Sequence, residues 1–526
     1  MFSWNFPYPS QRMPVIAENV VAASQPLAAQ AGLRMLLNGG NAIDAALAAA
    51  ITLTVVEPTS NGLGSDAFAL IWDGKQLHGL NGSGRSPAAW SPEYFAKYHT
   101  YPTVGWDTVT TPGAVSAWRA MSERFGKLPF KALFEPAVYY AEQGYGVSPI
   151  TARSWQSAQQ KYQGFPEFAH TFLPNGSAPR AGDYVRCQAM AQTLQDIAET
   201  KGESFYRGRL AQKIADYAKA TGGLLTYEDL AQHQVEWVMP ISCDVFGYTL
   251  HEIPPNGQGI AALMMLGILE HTNIAEYEAD SADSLHVQIE AMKLAFADVH
   301  RYVADPAWMR IDAYTLLEPD YLRQRARSID MRQAHFPDSG MPQDKGTVYL
   351  TAADASGMMV SFIQSNYMGF GSGIVVPDTG ISLQNRGCGF CLEPGHPNRV
   401  AGGKRPYHTI IPGFVTKDGQ PLMSFGVMGG HMQPQGHAQM MIRIFKDGQN
   451  PQAANDAPRW HLFRDFQVGV EPGFDPDVLN ELTARGHKIV TECAEGLFGG
   501  AQLIYKLDNV YVAASDPRKD GQAVGF

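Results

Sequence analysis

Cysteine is scarce. Five residues in 526, at positions 187, 243, 388, 391 and 493, form an odd and scattered set that excludes a disulfide framework and fits a reducing compartment. Cys388-Gly-Phe-Cys391 has a suggestive spacing, but without a second pair it makes a poor zinc site, so two part-buried loop thiols and no metal are expected. Long apolar runs are missing as well. The longest, Ala45 to Val56, lies between Asp44 and Glu57 and is too short to span a bilayer, which leaves no membrane partner. Basic blocks are absent: 40 Lys and Arg against 51 Asp and Glu give a net charge of −11, which disfavours a nucleic-acid partner. The opening MFSWNFPYPSQRMPV lacks the positive start and apolar core of a signal peptide, so a cytoplasmic location is expected. There is no internal repeat and no low-complexity segment.

What is present is an ordinary globular composition, 45% hydrophobic, on a chain long enough for two lobes or one large layered domain. Val21 to Gly40 reads as a strand followed by a helix with a glycine stop, and Asn41 to Val56 as a second, Ala-rich helix. Two apolar runs joined at Asp73-Gly74 predict a hairpin. It leads to Ser83-Gly-Arg85-Ser-Pro87, where Arg85 is either a solvated loop residue or a planar fork offered to a carboxylate. From 111 to 235 the texture is helical. Cys243 to Glu252 alternates like one strand, Gly259 to Leu269 reads as a helix, and Ser284 to Tyr302 is amphipathic. His286 and His300 stand about four turns apart on that last helix, which is not ligand spacing. Gly429-Gly430 sits between a strand and a helix expected over 438–445. Such a pair is either a tight turn or a place where backbone N–H groups meet an oxyanion.

The stretch from Asp338 to Gly373 reads as a polar linker ending at Gly346, a strand opening at Thr347, a tight turn at Asp354-Ala-Ser-Gly357, and a second strand. Taken alone it is a hairpin that begins with a good strand residue. If the chain is cut between Gly346 and Thr347, one residue carries both a hydroxyl and a free amine, which is a nucleophile with its own base.

Several segments then fall in one order: SQPLAAQAGLRMLLNGGNAIDAALAAAI, VVEPTSNGLGSDAF, SGRSP, TPGAVSAW, GFGSG, GKRPYHTIIP, VMGGHMQPQ and NDAPRW. In that order the chain resembles the γ-glutamyltranspeptidase family of N-terminal-nucleophile hydrolases, in its lid-less, cephalosporin-acylase-like branch. The resemblance implies an α+β fold, a four-layer αββα sandwich with a helix-rich lobe. It implies a precursor that cleaves itself after Gly346 into a large subunit, 1–346, and a small one, 347–526, which stay together. Thr347 matches the nucleophile, Ser365 a second hydroxyl beside it, and Gly429 and Gly430 the oxyanion glycines. Arg85 matches the arginine for a substrate carboxylate, with His408 and Thr409 where two serines usually assist. No cofactor is implied. The partners are a small acyl donor and water or an amine acceptor.

The departures bear on substrate. The acidic residue that would recognise an α-amino group is replaced by Gly389, a nearby polar or acidic residue by Arg386, and the usual Asn of the binding wall by Tyr367. A guanidinium in place of a carboxylate receives an ammonium poorly and a carboxylate well. The leading expectation is γ-glutamyl transfer or hydrolysis. The alternatives are an acylase for glutaryl-like groups, an uncleaved binding relative, and a Ser365–His408 amidase.

Overall fold

Val348–Ala353 reads VYLTAA and is buried at every position, so the strand is covered on both faces. Val348, Leu350 and Ala352 pack with helices on one side. Tyr349 and Ala353 point the other way, into a cluster shared with a second sheet. The same parity holds one strand over, where Ala67, Ala69 and Ile71 face helices and Phe68, Leu70 and Trp72 face the second sheet.

The computed structural model describes residues 4, 10–336, 347–463, 465–494 and 496–526. It builds two seven-stranded sheets. One runs in the order Gln522–Gly525, Val20–Ala23, Val348–Ala353, Met359–Ser365, Asp66–Trp72, Leu77–Asn81 and Glu236–Val238. The other runs Val15–Ala17, Tyr511–Ser515, Gly500–Lys506, Gln420–Met428, Gly413–Lys417, Tyr248–Glu252 and Ile241–Val245. Every pairing in both is antiparallel.

Helices close both outsides. Pro26–Leu37 and Ala42–Val56 cover the first sheet, and all of Ala42–Val56 is buried, as an all-round apolar helix must be. Its small side chains let the two helices touch: a Cβ at Gly32 would stand 2.8 Å from the Ala45 carbonyl. Asn41 and Asp44 form a capping box at its start. Gly259–Leu269, Ala282–Tyr302 and Met432–Met441 cover the second sheet. The result is the expected four-layer αββα sandwich, with the 111–235 helices packed onto the first helical layer. No described helix is long and apolar enough to cross a membrane.

Two local expectations are corrected. Cys243 to Glu252 is not one strand but a hairpin, Ile241–Val245 and Tyr248–Glu252. It turns on Phe246 (φ 54°) and Gly247 (φ 81°); a phenylalanine in the left-handed region gives no turn signal in sequence. The helix expected over 438–445 begins at Met432 and loosens after Met441 into one wide turn, Ile442–Lys446. Pro434 stands in the first helical turn, where no N–H is needed. Gly436 is required because a Cβ there would meet Val427 Cγ1 at 2.6 Å.

The NDAPRW segment shows how the C-terminal strands are tied down. Arg459 Nη2 donates to Asp516 Oδ2 (2.6 Å), as does the Ala501 N–H (2.7 Å), and Arg518 Nη1 donates to Oδ1 (3.1 Å). Burial works to raise the Asp516 carboxyl, but the two arginines and the backbone donors outweigh it and hold it at about 2. A carboxylate lowered in this way stabilises the fold above its ordinary value of 3.8, and that stabilisation is lost as pH falls through about 2. Asp516→Ala strands Arg459 in the core, so it should destabilise the protein by about 3–5 kcal/mol in denaturant unfolding at neutral pH.

Candidate active site

Strand parity decides which side chains meet. Extending the register Val348↔Gln364 by one pair sets Thr347 opposite Ser365, and Ser365 pairs with Asp66 on the next strand. Thr347 shares parity with Tyr349, Ser365 with Ile363, and Asp66 with Phe68, all of which face the space between the sheets. Three buried polar side chains therefore line one end of that space. Thr347 Oγ1 lies 3.3 Å from Ser365 Oγ, and Ser365 Oγ also accepts the Tyr367 N–H at 2.8 Å. Gly346 lies outside the described residues.

From the second sheet, strand Gln420–Met428 ends at Gly429 (φ 115°) and Gly430 (φ 56°), both in the left-handed region that favours glycine. The next helix starts at Met432, and its Gln433 reaches back: Nε2 donates to Thr347 Oγ1 at 3.5 Å while Oε1 accepts the Ile411 N–H at 2.9 Å. The nucleophile candidate is thus linked to the helix that follows the glycine pair.

Arg386, His408 and Thr409 join the same buried group. Arg386 Nη1 donates to Thr409 Oγ1 at 2.6 Å, and its guanidinium lies 4.4 Å from the centre of the Tyr367 ring. Tyr367 itself has φ 78°, an uncommon conformation for a bulky residue. Its loop is fastened by Tyr162, whose hydroxyl is bonded to the carbonyls of Met368 and Gly371 at 2.7 and 2.9 Å. His408 Nε2 donates to Asp66 Oδ2 at 3.0 Å, while the Ile410 N–H approaches Nδ1 at 3.4 Å. Gly389 is packed so that a Cβ would stand 2.2 Å from the Tyr407 carbonyl oxygen. This backbone leaves no room for an acidic side chain there.

Arg85 stands apart. Its guanidinium turns to Asp305 (3.1 Å), Glu236 (3.5 Å) and the Gly403 carbonyl (3.1 Å), with 46% of the side chain exposed. Cys388 and Cys391 are part-buried thiols outside any disulfide, and Cys388 Sγ lies 3.2 Å from the Pro102 carbonyl. Among the described residues no group of three or more His, Cys, Asp or Glu could hold a metal ion. Sequence reasoning missed Asp66, Gln433 and Gln258. Asp66 lay inside the quoted VVEPTSNGLGSDAF segment without being singled out.

A family model described as gamma-glutamyltranspeptidase matches residues 28–526. A glutathione hydrolase-like proenzyme of Bacillus subtilis, YwrD, is 36% identical over 519 residues, covering 97% of this chain and 98% of the relative. An oxamate amidohydrolase proenzyme of Klebsiella pneumoniae is 35% identical over 527 residues, covering 97% and 99%. The solved structure of a cephalosporin acylase from Bacillus halodurans is similar at a TM-score of 0.96 and 51% identity, over 100% of this chain and 99% of that one.

The site's electrostatics follow from burial. Desolvation pushes the Asp66 carboxyl up to about 7, against the pull of Arg386, of the Gly113 and Gly84 N–H groups, and of Arg405. Burial, then Arg386 and Arg405, push His408 well below its usual value. A lowered imidazole stays uncharged, and the Ile410 N–H directed at Nδ1 selects the Nε2–H tautomer. Imidazole nitrogen shifts at neutral pH should show His408 uncharged with its proton on Nε2.

Proposed function

Because the chain belongs to the γ-glutamyltranspeptidase family, which spans residues 28–526, we propose that it is a precursor of an N-terminal-nucleophile amidohydrolase or acyltransferase with Thr347 as nucleophile. Self-cleavage after Gly346 divides it into subunits 1–346 and 347–526. In the mature enzyme the Thr347 hydroxyl attacks the acyl carbonyl while the Thr347 amine takes its proton. The N–H groups at Gly429 and Gly430 receive the developing oxyanion. Collapse breaks the C–N bond, the departing amine carries off the proton, and water or an acceptor amine releases the acyl group from Thr347. Ser365 orients the nucleophile's hydroxyl. The observation that carries this reading is the contact of Thr347 Oγ1 with Ser365 Oγ at 3.3 Å, at the start of a strand buried on both faces.

The acyl group is read by the γ-glutamyl-type pocket, with Arg386, Thr409, His408 and Tyr367 as its wall; Arg85 would join it only by leaving Asp305 and Glu236. Relatives named glutathione hydrolase-like proenzyme and glutathione hydrolase proenzyme support γ-glutamyl amides as donors. A second reading is favoured by the buried Arg386 and by the packing that bars a side chain at Gly389. It is an acylase for donors with a carboxylate and no ammonium, of the glutaryl kind. Relatives named oxamate amidohydrolase and cephalosporin acylase lie on that side.

Mass spectrometry of the purified protein should give two polypeptides, the smaller beginning at Thr347. Thr347→Ala should yield one full-length chain with no turnover. A parent that stays full-length after prolonged incubation would instead be an uncleaved binding relative. Rates on γ-glutamyl and glutaryl anilides separate the two substrate readings: the first predicts faster γ-glutamyl turnover, and equal or faster glutaryl turnover assigns the acylase.

A further inference from the structure

Gln258 stands immediately before the helix Gly259–Leu269, in its N-cap position, yet its side chain caps nothing there. The amide reaches across to the site instead. Nε2 donates to the Thr409 carbonyl at 2.6 Å and to the Gly430 carbonyl at 2.8 Å. Oε1 accepts the Tyr407 hydroxyl at 3.0 Å and faces His431 Nδ1 at 3.1 Å. The backbone adds a fifth bond, from the Gln258 N–H to the His408 carbonyl at 2.9 Å. The residue is wholly buried.

The orientation of this amide is fixed by its surroundings. Both partners of Nε2 are carbonyl oxygens, which only accept, so a flipped amide would set three oxygens against one another. One side chain thus ties together two segments with different duties: 408–409, which holds Arg386 through Thr409, and the Gly429-Gly430 turn. Gly430 has a left-handed backbone that several conformations could satisfy, and glycine has no side chain to choose among them. A carbonyl held by a buried donor makes that choice.

We infer that Gln258 is a positioning residue that sets the glycine turn in register with the acyl-binding wall, so that the oxyanion donors and the bound acyl group are aligned together. This rests on the proposed Thr347 chemistry. It assigns to Gln258 an effect on the chemical step greater than its effect on binding, because misalignment at the oxyanion matters most in the transition state.

The test compares the parent with Gln258→Glu, Gln258→Met and Tyr407→Phe, each checked by thermal unfolding, on the better anilide substrate. Glu keeps the shape but replaces both donors with an acceptor; Met keeps the shape without hydrogen bonds. Both should lower kcat by about tenfold to a hundredfold, with KM changed by less than about threefold, and self-cleavage should slow in parallel. The Glu variant's deficit, taken against the parent at each pH, should narrow as pH falls, since a protonated carboxyl regains one donor. The Met deficit should not change. The ionisable groups facing the amide, Tyr407 and His431, and Asp66 and His408 near Thr409, are common to parent and both variants. Tyr407→Phe removes one partner of Oε1 and leaves Nε2 in place, so its kcat should stay within about threefold. Glu and Met variants with parental kcat overturn the inference, as do deficits that run parallel across pH or a Tyr407→Phe loss as large as theirs. A parent with neither cleavage nor turnover refutes the Thr347 chemistry instead.

Discussion

The constraint on which the rest depends is that the central strands are buried on both faces. A strand with one wet face tolerates a slip in pairing by exposing what it had buried; Val348–Ala353 and Met359–Ser365 have nowhere to expose anything. A slip of one residue would turn Tyr349 towards the helices and Val348 towards the second sheet, against two close-packed layers. The register is therefore held by packing along the whole strand, and the ends inherit it. Thr347, Ser365 and Asp66 are neighbours because Tyr349, Ile363 and Phe68 are core.

Such a location makes polarity expensive. A buried hydroxyl, amide or charge without a partner is destabilising by about 1–3 kcal/mol or more, and polar groups inside the sandwich take one another or backbone carbonyls as partners. Thr351 Oγ1 meets Ser424 Oγ at 2.6 Å across the sheets, and Gln364 Nε2 donates to the Ala50 carbonyl at 2.8 Å and to Asn61 Oδ1 at 2.7 Å. The charges obey the same rule. Arg386 sits against an aromatic face and a hydroxyl with Asp66 close enough to feel its charge. His408 remains neutral in the same neighbourhood. The region is therefore less cationic than Arg386 alone suggests, because Asp66 partly balances it.

Much of the layer plan was legible in sequence because it rests on patterns that burial imposes locally. The Ala-rich helix of 42–56, the Asp73-Gly74 hairpin and the strand pair around Asp354–Gly357 declare themselves through composition and turn chemistry. What escaped were features decided at long range. The turn at Phe246 is held by tertiary packing against the preference of its residue, and the Met432 helix lies close on its strand because Gly436 has no Cβ to meet Val427. Arg85 drew attention as a fork at a strand end, but its partners, Asp305 and Glu236, are 220 and 151 positions away and invisible to any local window. Gln258 had no signal at all: a glutamine after a Pro-Pro-Asn-Gly turn looks like loop polarity, and only the fold brings Thr409 and Gly430 to it.

The interlacing of the chain would also let the proposed cut before Thr347 be made without loss of the fold. In the first sheet the strand Val348–Ala353 lies between Val20–Ala23 and Met359–Ser365, and the latter pairs on its far side with Asp66–Trp72. In the second sheet Gly413–Lys417 pairs with Tyr248–Glu252, and Tyr511–Ser515 with Val15–Ala17. Segments before and after residue 346 are thus interleaved within both sheets, and the inter-sheet cluster draws on both. Separating the two pieces would break ladders in each sheet and open the core between them, so association after cleavage follows from the strand order itself. The covalent link at 346–347 is one connection among many, and its loss would free the Thr347 amine while the strand that carries it stays pinned on both sides.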